Sequence, residues 1–313
     1  MIDFRYHLVS IVSIFMALAV GIVLGAGPLK ENIGNTLTSE VANLRADKAA
    51  LRSELTAADK GTQARDEFTL ASNRTLLAGR LKGTTVTLVV LPGADSNLVK
   101  TTQGTLATAG AVVGSTISVQ DTWVDQDKAA FRATLGQQLA SQVGVPIDQS
   151  GGDVVNAVLA RSVLAKAGST STGAAAALEG LRTGELIRYT PDKVTASSVA
   201  VIVAGMVTGS DAAVREQRAT GLSHLAGALD AAGAGAVLVT QSLAPGATNT
   251  TSVVSTSRAD GDQSKLLSTV DDADIPMGQA SLVFGVLEQE AGRSGQYGLA
   301  PDSSATFPPL ATK

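Results

Sequence analysis

The chain has 313 residues, 44% hydrophobic and 17% charged, with a net charge of −4 and no cysteine. That length suits one large or two small domains, and the apolar share supplies a packed core, which excludes global disorder. Without cysteine there is no disulfide frame, zinc knuckle, iron–sulfur cluster or thiol nucleophile, and mild acidity with 3% aromatics gives no footprint for nucleic acid.

In chain order, the first element is Leu8 to Gly27, a stretch with no charge. As a helix it reaches about 30 Å, the thickness of a bilayer core, with Tyr6 and His7 at the level of an interfacial belt. Its apolar run is longer than the ~7–15 residues of a secretory signal. A cut at Gly25 or Gly27 is disfavoured by Pro28. The expectation is an uncleaved signal anchor over residues 1–28, in contact with a lipid bilayer. Arg5 and the amino terminus precede it, partly offset by Asp3, while Lys30 and Glu31 behind it cancel. The positive-inside rule then favours a single pass through the cell membrane, amino terminus inside and the remainder extracytoplasmic.

Residues 29–82 read as a coiled-coil stalk. Leu37, Leu44, Leu51 and Ala58 recur every seventh residue; as d positions they place Val41, Lys48 and Leu55 at a. In a parallel homodimer each g residue meets the partner's e residue five positions on. Glu40 then faces Arg45 and Asp47 faces Arg52, both attractive, while Glu54 faces Asp59, which is repulsive. Lys48 at a costs stability and can set register. Helical pattern continues through Phe68, Leu76, Leu77 and Leu81 with the heptad phase lost. About 45 helical residues from Lys30 would reach roughly 65 Å.

Residues 83–300 predict an α/β domain, and 301–313 an irregular tail. Gly83 breaks the helix, and Thr84 to Leu91 is a β-branched apolar run of the buried-strand type. A helix follows to about Ala109, capped by Asp95 or Ser96. Ala111 to Val119 reads as a strand and Asp125 to Val143 as a helix. Helices at Asp153–Ala167 and Ala174–Leu181 flank a polar loop at Gly168–Gly173. Further strands are expected at Leu186–Tyr189, Val199–Gly205 and Ala236–Gln241, with an edge strand at Thr251–Thr256. Helices are expected at Asp211–Ala232 and Gly278–Ala291, and irregular chain from Gly292. Alternating strands and helices imply a mostly parallel sheet covered on both faces, a Rossmann-like or flavodoxin-like three-layer domain. The strand candidates are too few and too continuously apolar for a transmembrane barrel.

Candidate chemistry is sparse. No G-x-G-x-x-G follows a strand, and Val203 to Gly209 lacks the lysine of a phosphate loop. Gly221-Leu222-Ser223-His224 lacks the closing glycine of a nucleophile elbow, so His224 reads as an ordinary helix residue. Asp271, Asp272 and Asp274 lack calcium-loop spacing and read as a solvated loop. Trp123 and Asp125 fall at a strand's C-terminal end, where α/β domains often bind ligands; no role is assigned to them. The expectation is a non-enzymatic chain with no catalytic residue, cofactor or metal site.

Phe4-Arg5-Tyr6-His7 running into Leu8 and ending at Gly21-Ile22-Val23-Leu24-Gly25 resembles the anchor of the actinobacterial MctB/SteB family. Ser268-Thr269-Val270-Asp271, Gly278-Gln279 and Gly295-Gln296-Tyr297-Gly298 give a second match. The resemblance spans nearly the whole chain, with its specific motifs at the two ends. It implies two functions. One is a membrane-anchored dimer that, with a SteA-type membrane partner, controls a coiled-coil-bearing peptidoglycan hydrolase in cell separation. The other is copper transport or homeostasis, with an outer-membrane location in some members. Copper carriage favours Cys, Met and His, of which the chain beyond the anchor has Met206, Met277 and His224. The sequence reading therefore favours the assembly protein, with copper transport as the alternative.

Overall fold

The computed structural model describes residues 4–26, 28–146, 151–166, 172–244 and 246–309, and the chain divides into two units, 1–65 and 66–313. In the first unit, α1 (Phe4–Ala26) is apolar on every side. Leu8, Val12, Ile14, Phe15, Leu18 and Ile22 are all more than half exposed. A helix apolar all round that buries none of its surface in protein is suited to lipid. Among the described residues α1 alone is long and apolar enough to cross a membrane, which fits membrane association. Helix α2 (Pro28–Leu76) follows as one continuous helix.

In the second unit the last turns of α2 are tied down. Asn73 is buried and its Nδ2 donates to the carbonyl of Pro276 at 2.7 Å, while Leu77 and Leu81 just beyond the helix are fully buried. Then come β1 (Thr85–Val90), α3 (Ser96–Thr108), β2 (Val112–Val119), α4 (Ala129–Ala140), α5 (Gly151–Val163), α6 (Ala174–Thr183), β3 (Ile187–Thr190), β4 (Val199–Val203), β5 (Met206–Thr208), α7 (Ala212–Ala232), β6 (Gly235–Val239), β7 (Thr250–Ser252), α8 (Val253–Ala259), β8 (Ser268–Val270), α9 (Pro276–Glu290) and β9 (Gln296–Tyr297). Asp95 and Asp211 cap α3 and α7, each carboxylate accepting two backbone N–H groups of the first turn.

Seven strands form one sheet in the order β3-β2-β1-β4-β6-β8-β9, parallel except for the β2–β3 pair at one edge. Counting only its parallel strands in chain order, the sheet reads 2-1-3-4-5-6, the flavodoxin-like winding with one strand added. Side chains of β1, β4 and β6 are buried on both faces, which is why these strands read as unbroken apolar runs. Val89, Ile202 and Leu238 point into a core under α4 to α8. Leu88, Val201 and Val237 point into the opposite core under α3, α9 and the residues after α2.

The structure corrects four expectations. Only Thr251 and Ser252 of the expected edge strand are strand, paired with β5 away from the main sheet; Ser252 Oγ then accepts the Ser255 N–H and starts α8, which buries Val253 and Val254. The stretch after Gly292 was expected to be irregular, yet β9 joins the sheet, parallel to β8. The helix expected over Asp125–Val143 is α4 between two short 3-10 turns, ended by Gly144 in the left-handed region. Of the three aspartates expected in a solvated loop, Asp271 and Asp272 are buried, as described below, while Asp274 is exposed. Residues 168–171 of the expected polar loop and 310–313 of the tail lie outside the described residues.

Candidate functional site

The seven stalk residues named from the sequence all lie on α2, spaced three and four apart and therefore on one face. Leu37, Leu44, Leu51 and Leu55 are 62–65% exposed and Val41 is 37% exposed. Lys48 and Ala58 are exposed as well, as are Glu40, Arg45, Asp47 and Arg52 on the flanks. Four leucines at more than half exposure on one helical face form an apolar stripe that the single chain leaves uncovered.

The C-terminal motif residues converge on a buried polar network at the far end of the sheet. Strand alternation sorts them. Ser268 and Val270 point toward α9, where Gln289 Nε2 donates to Ser268 Oγ at 2.9 Å. Thr269 and Asp271 point toward α8, where Arg258 waits. Its Nε donates to Thr269 Oγ1 at 2.8 Å, Nη1 to Asp271 Oδ2 at 2.6 Å and Asp302 Oδ1 at 2.8 Å, and Nη2 to the Tyr297 carbonyl at 2.7 Å. The Arg258 side chain is 3% exposed. Asp271 Oδ1 also accepts the N–H groups of Leu299 and Ala300. Gln296 closes the cluster, accepting from Thr269 Oγ1 and donating to the carbonyls of Ser264 and Leu267. Tyr297 Oη donates to buried Glu288 at 2.5 Å; burial, then that carboxylate, push the phenol pKa well up. Gly298 sits at φ +130°, and a Cβ there would come within 2.3 Å of Asp271 Oδ1. Ser268, Thr269, Asp271, Gln296, Tyr297 and Gly298 are thus accounted for by satisfied buried hydrogen bonds or by space, while Gln279 is half-buried on α9 and accepts from Thr105 Oγ1 at 3.5 Å.

Asp272 is the exception. It is fully buried, neither carboxylate oxygen has a hydrogen-bond partner, and Oδ1 lies where a Cβ on Gly278 of α9 would be 2.6 Å away. Burial, then the charges of Asp271 and Asp274, raise its pKa to about 7. The sign follows from linkage. The unfolded chain ionises Asp272 near pH 4 while the folded chain holds the proton to about 7, so stability contributed at low pH is lost as pH rises across that window. A shift of about three units corresponds to at most about 4 kcal/mol. Asp272→Asn is expected to be less pH-dependent than the unmodified chain. Thermal melts from pH 4 to 8 should show the variant gaining relative stability as pH rises, and parallel profiles would refute the reading.

The crevice where an α/β sheet reverses winding, between the ends of β1 and β4, is closed. A Cβ on Gly205 would stand 1.9 Å from the Gly93 carbonyl oxygen, so the two backbones touch where a ligand would enter. Trp123, near that edge, is buried and its Nε1 donates to Asn156 Oδ1 at 3.1 Å; Asp125 Oδ1 accepts the Asp127 N–H. His224 lies exposed on α7. Among the described residues no group of three or more His, Cys, Asp or Glu is placed to hold a metal ion. Sequence reasoning named Gln296 within its C-terminal motif but missed Arg258, the centre of the polar network, because an isolated arginine on a short helix carries no pattern.

A family model described as "Copper transport outer membrane protein, MctB" matches residues 1–308. The protein named "Copper transporter MctB" from Mycobacterium tuberculosis (strain ATCC 25618 / H37Rv) is 26% identical over 308 residues, covering 95% of this chain and 96% of its own length. Its namesake from Mycobacterium leprae (strain TN) is 25% identical over 327 residues, covering 99% of this chain and all of its own. The amino-terminal anchor motif and the C-terminal network residues both fall inside the matched range, and with a match running almost end to end the chain belongs to the MctB family.

Proposed function

We propose that this chain is a copper transport or homeostasis protein of the cell envelope, anchored by α1 and acting by assembly rather than by catalysis or tight metal ligation. The observation that carries the copper reading is the near-full-length match to relatives named copper transporters. It replaces cell separation, favoured from the sequence, as the leading function. The assembly half rests on the uncovered apolar stripe of α2 and on the poverty of soft ligands. Beyond the anchor the chain offers only half-buried Met206 and Met277 and the single His224, where copper carriage favours clusters of such side chains. The stripe suits a second copy of the chain in parallel, with Glu40 opposite Arg45 and Asp47 opposite Arg52. A single pass with the larger unit outside the cell membrane fits the charge distribution; the family description makes the outer membrane the alternative site.

Two measurements test the reading. Cells lacking the chain should differ in copper content from cells carrying it, with the difference abolished by complementation; an unchanged content contradicts the copper role. Cu(I) titration of the solubilised full chain under reducing conditions should show weak binding or none, and a stoichiometric submicromolar site would contradict assembly without ligation. A second reading, control of a peptidoglycan hydrolase with a SteA-type partner, is favoured by the same stripe, since an apolar helical groove accepts an amphipathic helix. Its mark would be a chaining phenotype on deletion with copper content unaltered.

A further inference from the structure

We propose that a cleft between α5 and α7 binds an organic anion with an apolar body, a carboxylate or phosphate carried on a short aliphatic chain. The cleft measures about 1000 Å³, at the upper end of small-molecule sites. It lies at the strands' N-terminal edge, opposite the crevice that Gly93 and Gly205 close. Leu164, at the end of α5, bridges to Ser197 just ahead of β4, and Asp230 of α7 accepts the Ala236 N–H at the start of β6.

The polar wall is biased toward donors. Its two carboxylates are engaged, Asp230 with that backbone N–H and Asp262 with Lys265 at 3.3 Å. Gln263 is engaged at both ends of its amide, Oε1 accepting from Ser223 Oγ at 3.0 Å and Nε2 donating to Asp260 Oδ2 at 3.3 Å. Asn156 accepts from the Trp123 indole through Oδ1, which fixes the amide and leaves its N–H groups as what it offers the cleft. Exposed Arg161 supplies a guanidinium fork suited to a carboxylate or phosphate. Lys166 lines the same wall and adds positive potential. Ala160, Leu164 and Leu267 make the apolar floor, and Leu266, 61% exposed, stands at its rim. A donor-rich wall over an aliphatic floor selects an anionic head on an apolar body.

The test uses the full chain in lipid nanodiscs, with empty nanodiscs subtracted, titrated calorimetrically with octanoate, octyl phosphate, octanol and octyltrimethylammonium. One site per chain is expected for one or both anions, at least tenfold tighter than for the neutral or cationic chain; the two anions separate a carboxylate from a phosphate head. Arg161→Glu should weaken the anion tenfold or more. Ala231→Trp, on an exposed position lining the cleft, should block it, and unchanged melting temperatures show that both variants fold. Equal binding of all four chains, no binding of either anion at millimolar concentration, or indifference to both substitutions would overturn the assignment.

Discussion

On the proposed parallel pairing of α2, Leu44→Asn combined with Leu51→Asn is expected to turn a dimer into a monomer. The two leucines are consecutive d residues on the uncovered stripe of α2, each more than 60% exposed in the single chain. In a parallel pair each packs on its own counterpart, so the double change removes four buried leucines per dimer. At roughly 1.5–3 kcal/mol for a fully buried side chain, the loss is about 6–12 kcal/mol; even half-burial gives about 3–6 kcal/mol, a roughly 10²- to 10⁴-fold weakening. The second unit has its own cores on both faces of its sheet and should keep its melting transition. Charge offers an independent handle. Arg45→Glu with Arg52→Glu would make both attractive g–e contacts repulsive, at a few tenths to 1 kcal/mol each. Sedimentation over a dilution series in detergent checks both. Because the chain has no cysteine, Leu37→Cys also gives a clean cross-linking test, since only a parallel in-register pair brings the two thiols together.

Arg258→Met is expected to be the most damaging single change in the second unit. Methionine nearly fills the space but leaves Asp271 buried with only the N–H groups of Leu299 and Ala300, and it removes one of two partners from Thr269 Oγ1, which keeps Gln296, and from the Tyr297 carbonyl, which keeps the Asp271 N–H. Breaking a buried pair by removing one partner costs about 3–5 kcal/mol. For a unit of this size that lowers the melting temperature by roughly 6–20 °C. Arg258→Lys keeps the charge and loses the fork that reaches three directions at once, so it should recover only part of the loss. A variant that melts like the unmodified chain would show that the network is not what holds β8, β9 and α8 together.

The parts of the fold legible in the sequence are those where one local signal and the burial pattern agree. β1, β4 and β6 are buried on both faces, and their apolar runs said so. Asp95 announced α3 by capping chemistry, and the apolar stretch at the amino terminus marked α1. Illegible were elements set by distant partners. β9 is two residues long, too short for any period, and exists because Gln296 reaches Ser264 and Leu267 while its backbone pairs with β8. α8 hid inside a β-branched run that favours strand, and a serine cap decided otherwise. Asp271 and Asp272 looked solvated because acidic clusters usually are; the cation that neutralises Asp271 stands thirteen residues back on α8. The cleft was invisible, since its walls come from α5, α7 and the turn before β8, none of which carries a motif.

The most direct test of copper handling through assembly is the copper content of cells lacking the chain, complemented with either the unmodified chain or the Leu44→Asn, Leu51→Asn form at matched membrane levels. The account predicts that the unmodified chain restores the copper content and the variant does not, although its second unit melts normally. Full restoration by a variant shown to be monomeric would contradict it.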